Sequence, residues 1–110
     1  MASTSTSMGM FNTQLPQFNG KNYDYWAITM RALFSSQDLW EFVEDGFEEP
    51  ANENEFNGLT QAEKDLLKSN RKKDSKALVF LYQSVHESVF PRIAVAKRSK
   101  EAWKTLKMAY

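Results

Sequence analysis

The chain has 110 residues, enough for one small domain with a modest core and too few for two. Hydrophobic residues at 42%, including three Trp, four Tyr and eight Phe, exclude a wholly disordered polymer. The absence of Cys excludes a disulfide framework, a zinc knuckle, a thiol nucleophile and an iron–sulfur cluster. Net charge is zero but sorted: residues 1–55 hold two cations and nine carboxylates, residues 56–110 twelve cations and five carboxylates. Either the two halves face each other within one fold or present solvated faces, or the dipole serves head-to-tail self-association or polyanion binding by the second half.

In chain order, residues 1–14 are Ser/Thr-rich, uncharged and aperiodic, which predicts a disordered and dispensable tail. Leu15-Pro16-Gln17-Phe18 reads as an extended arm anchored by Phe18, and Asn19-Gly20 as a turn. Asn22 is placed as N-cap of a first helix. Along it Tyr23, Trp26, Ala27, Met30, Leu33 and Phe34 recur on one face, and Ser35-Ser36-Gln37 end it. Asp38 and Glu41 have capping-box spacing for a short helix with Leu39, Trp40, Phe42 and Val43, closed by Gly46. Residues 50–58 read as a polar, acidic loop.

Thr60 and Glu63 form a second capping box, opening a long helix from about Gln61 to Gln83. Its apolar positions are Ala62, Leu66, Leu67, Ala77, Leu78 and Leu81, with Val85 beyond, and its middle, Asn70 to Ser75, is polar and cationic. Ser84 is read as the cap of a further short helix interrupted by Pro91. Ser99 is read as the cap of a last helix with Ala102, Trp103, Leu106, Ala109 and Tyr110 on one face. No stop signal follows Tyr110, so the expectation is a piece of a longer product. No strand pattern or repeat is present. The fold class expected is all-α, a small bundle of about five helices, with Trp26, Met30, Leu33, Trp40, Leu81, Trp103 and Leu106 packed together.

Catalytic signals are weak. His86, the single imidazole, has Ser84 and Ser88 nearby but no nucleophile elbow, and the four glycines are too scattered for a phosphate loop. The acidic run at Glu44, Asp45, Glu48 and Glu49 lacks the ligand alternation of a calcium loop. No cofactor, metal or small-molecule substrate is expected. The exposed-cation pattern Lys68, Arg71, Lys72, Lys73 and Lys76 is the candidate polyanion or partner contact. No apolar run is long enough for a membrane helix, and a cytoplasmic, alternatively nuclear, location is expected.

The run Phe18-x-Gly20-x-Asn22-Tyr23-x-x-Trp26, with Met30, Leu33 and a Leu39-Trp40 pair before an acidic stretch, resembles the opening of the Gag region of plant copia-type LTR retrotransposon polyproteins. Lys76-Ala77-Leu78, Val89-Phe90 with Ile93, and Ala102-Trp103-x-x-Leu106 with Tyr110 resemble its later parts, so the likeness covers residues 15–110. It implies a capsid N-terminal-lobe-like helical domain that is not an enzyme. Its partner would be itself, in virus-like particles around element RNA, with RNA gripped chiefly by regions outside this chain. The alternatives are a host-adopted interaction adaptor, docking a peptide between Trp26 and the long helix, and an RNA-binding helical domain using the basic stripe.

Overall fold

A computed structural model describes residues 15–110; the expectations for the tail, residues 1–14, lie outside the described residues. Five α-helices make up the described fold: α1 Tyr23–Ser36, α2 Trp40–Glu44, α3 Glu53–Asn57, α4 Gln61–Gln83 and α5 Ser99–Ala109. A single 3-10 turn, Phe90–Arg92, stands between α4 and α5. The all-α class therefore holds, and no helix among the described residues is long and apolar enough to cross a membrane.

The amphipathic spacing of α1 puts Trp26, Met30 and Phe34 on its buried face. Its start differs from expectation. Asn22 occupies the N-cap position but adopts the left-handed conformation (φ 57°), and its side chain caps nothing. Asp38 is likewise left-handed (φ 60°), and the N-cap of α2 is Leu39, without a side-chain hydrogen bond, so the Asp38/Glu41 capping box does not form. The turn between α1 and α2 is so tight that the Leu39 N–H reaches back to the Phe34 carbonyl, 2.8 Å away, which swings Asp38 away from the N-terminus it was expected to cap.

Within residues 50–58 the chain makes one helical turn, α3, where a loop was expected. Asn52 supplies the reason: its side chain accepts from the Glu55 N–H. The capping box of α4 is present as read, with Thr60 Oγ1 accepting from the Glu63 N–H and Glu63 Oε1 from the Thr60 N–H at 2.8 Å.

Ser84 and Ser99 do not cap the helices that follow them. Ser84 is the C-cap of α4, and its hydroxyl donates to the Leu81 carbonyl. Ser99 is the first residue of α5, after Arg98 in the N-cap position. Pro91 lies at the start of the 3-10 turn, where a missing N–H costs nothing.

The core is one cluster in which Phe18, Met30, Phe34, Leu39, Leu81, Ile93 and Leu106 are fully enclosed. The arm enters it as a single parallel bridge between Phe18 and Val85. Phe18 N–H donates to the Ser84 carbonyl and His86 N–H to the Phe18 carbonyl, both at 2.8 Å. Trp26 Nε1 donates to the same Ser84 carbonyl at 3.1 Å, and Gln17 Nε2 to the Gln83 carbonyl at 2.6 Å. The arm thus satisfies carbonyls that the end of α4 leaves without helical partners.

Candidate interaction surfaces

The motif residues divide into a buried set and a partly buried set. Phe18, Trp26, Met30, Leu39, Leu81 and Leu106 are buried, whereas Tyr23, Leu33, Trp40 and Trp103 are partly buried and pack against them. Gly20 has φ +98°, a conformation that L side chains rarely adopt, and it turns the arm into α1. Trp103 of α5 is the hub. It stacks on Trp26 with ring centroids 5.5 Å apart and meets the edge of Trp40 at the same distance.

Beside these rings lies a groove of about 600 Å³ between α1 and α5, with α2 also contributing to its lining. Tyr23, Trp40 and Trp103 are among the residues on its floor, and Ile28 (70% exposed) and Met108 (77% exposed) stand at its lips. Arg31, Lys100, Lys104 and Lys107 border it, against one carboxylate, Glu44. Arg31 sits 4.9 Å over the Trp40 ring, and Lys100 Nζ donates to the Asp45 carbonyl. Lys104 and Lys107 make no ion pair or side-chain hydrogen bond among the described residues. Burial pushes the Tyr23 phenol above its ordinary value, and neighbouring Asp24 adds to the shift.

The cationic residues of α4 differ in their surroundings. Lys68, Arg71, Lys72, Lys73 and Lys76 are all exposed, but Arg71 is committed inside the chain. Its Nη2 and Nε donate to the two oxygens of Glu49 at 2.6 and 2.8 Å, and Arg98 Nη2 lies 3.5 Å from the same carboxylate. That two-point bond holds the Glu49 carboxyl below, and the Arg71 guanidinium above, their ordinary values. At this contact the acidic and basic halves face each other within one molecule. Lys73 Nζ lies 6.0 Å from the Phe42 ring.

The phenylalanines of the acidic segment are also occupied. Phe42 is buried, Phe47 lies under Arg98 at 4.5 Å, and Phe56 under Lys64 at 5.1 Å. An association held by these three rings, with Arg71 in the charge contact, would have to break bonds the chain already makes.

One feature inside the polar middle of α4 escaped the sequence reading. Asp74 is 3% exposed and accepts from Ser99 Oγ at 2.5 Å, with the Ser99 N–H 3.3 Å from both carboxylate oxygens. Its signal was positional: Leu67, Asp74 and Leu81 are seven residues apart, so Asp74 shares their buried face. At His86 the ring Nδ1 accepts from the Ser88 N–H at 3.0 Å, a local turn contact. Among the described residues no group of three His, Cys, Asp or Glu is placed to hold a metal ion.

Residues 30–110 match the family model described as gag-polypeptide of LTR copia-type. The match begins at Met30, so the Phe18–Trp26 run lies just before it. No curated protein and no solved structure matches the chain.

Proposed function

The chain belongs to the gag-polypeptide family of copia-type LTR retrotransposons, and from that membership we propose that it is a structural, non-enzymatic Gag domain. It self-associates in the cytoplasm to build virus-like particles around element RNA, its fold serving as a capsid-like lobe. The observation that carries this reading is the family match over residues 30–110. The surface agrees with it: a rigid aromatic core leaves large apolar side chains at the solvent, with Tyr25, Ile28 and Met108 each at least 70% exposed.

The test is sizing of the nuclease-treated chain by light scattering across a concentration series, followed by the same series with single-stranded RNA. The expected result is concentration-dependent assembly that RNA promotes. A monodisperse monomer throughout both series overturns the proposal.

An RNA contact on α4 has its own support, because Lys68, Lys72 and Lys73 are exposed on the helix that also carries Arg71. Salt-sensitive RNA retention that falls in K68Q/K72Q, with assembly unchanged, would identify that face as the RNA surface.

A further inference from the structure

We propose that the groove between α1 and α5 receives the acidic α3 segment of a second copy of this chain, giving a head-to-tail contact. The inference rests on the self-association reading and names its two faces.

The receiving face is concave, apolar at its floor and cationic at its rim. Lys104 and Lys107 are exposed and make no bond within the described residues, so a neighbour's carboxylates would meet them without displacing an internal partner. The inserting segment is exposed: α3 contains no buried residue, and of the first ten residues of α4 only Leu67 is buried.

Its charge is complementary to the groove. Glu53 and Glu55 are exposed on α3, and beside it Glu48, Glu55 and Glu63 line a hollow of about 460 Å³ together with Leu66, which is 61% exposed; Glu49, in the same hollow, is already bonded by Arg71. An acidic, exposed segment meets a groove bordered by cations, which is the pairing that steers and registers protein association. The two faces use different residues, so each copy offers one of each. Such a contact is heterologous, and it propagates into a ring or an open array.

A second copy fits this groove better than a polyanion does. Glu44 lies within the groove lining, where it would repel a phosphate, and the lining includes Tyr23, Trp40 and Trp103.

Two charge-reversed chains test the contact: K104E/K107E in the groove and E53K/E55K on α3. Sedimentation of nuclease-treated protein should show each alone associating at least about tenfold more weakly than the parent. Mixed one to one, they should return to the parent's association, because each reversed face then meets its opposite. The parent's association should also weaken when salt rises from about 0.1 to 0.5 M. The neutral pair K104Q/K107Q should give an intermediate loss, which keeps the test valid if a reversed chain melts early.

Reversed chains that associate like the parent, or a mixture that stays dissociated, would overturn the contact while leaving self-association standing. A parent that is monomeric at every concentration would overturn both. Loss of RNA retention in K104E/K107E with unchanged association would assign the groove to RNA and overturn this proposal.

Discussion

Asp74, in the middle of α4, accepts hydrogen bonds from both the backbone N–H and the hydroxyl of Ser99, the first residue of α5. A helix start normally takes its cap from the residue just before it, but here Arg98 in that position supplies none, and the carboxylate comes from another helix. The negative charge also sits at the positive end of the α5 dipole. One buried side chain therefore both caps α5 and fixes its distance from α4.

Replacing Asp74 by Ala should destabilise the fold by about 2 to 3 kcal/mol, since it strands a buried N–H and hydroxyl. The melting temperature should fall by roughly 10 to 20 °C. Ser99→Ala removes one donor and should cost about 1 kcal/mol. Thermal unfolding followed by circular dichroism measures both, and an Asp74→Ala chain melting with the parent would refute the capping role.

Trp26→Ala should cost about 3 to 5 kcal/mol, because the ring stacks on Phe18 and Trp103 and is 2% exposed. Trp26→Phe keeps much of the packing and loses the bond to the Ser84 carbonyl, so about 1 to 2 kcal/mol is expected. Denaturant titration with unchanged m-values would report the difference.

Gly20→Ala should destabilise by about 1 to 2 kcal/mol through backbone strain alone. The added methyl would meet only ordinary contact, 3.6 Å from the Tyr110 ring. A Gly20→Ala chain as stable as the parent would show that the arm enters α1 by another path.

The Glu49–Arg71 bond should give an acid-dependent loosening of the loop after α2. The folded-state value of Glu49 is depressed, so its contribution is present above the ordinary value of 4.5 and is lost as pH falls through the lower folded value. The protection of the amides of residues 46–49, measured against the intrinsic exchange rate at each pH, should fall in that acid range in the parent. In Glu49→Gln it should already be low at neutral pH and change little with pH. Because half of the Arg71 side chain is exposed, high salt should shrink the parent's advantage.

The long helix, its Thr60/Glu63 capping box and the apolar face of α1 were legible in the residues themselves, because a 3.6-residue period and a local cap are set within one turn of chain. The all-α class and the burial of Trp26, Met30, Leu81 and Leu106 follow from the same periodicity. The caps at Asp38, Ser84 and Ser99 were misread because a Ser or Asp before an apolar run marks an opportunity that tertiary contacts then take or refuse. Ser99 bonds Asp74 at 2.5 Å, from a helix 25 residues earlier in the chain, and no local rule contains that distance. The same holds for charge. Sequence shows an acidic half and a basic half, but only the fold decides that Arg71 closes on Glu49 within the molecule while Lys104 and Lys107 stay open beside an aromatic groove. Periodicity decides which face of a helix is buried, whereas which charges neutralise each other depends on how the helices are set against one another, and that is decided by contacts between residues far apart in the chain, such as Trp26 with Trp103 and Asp74 with Ser99.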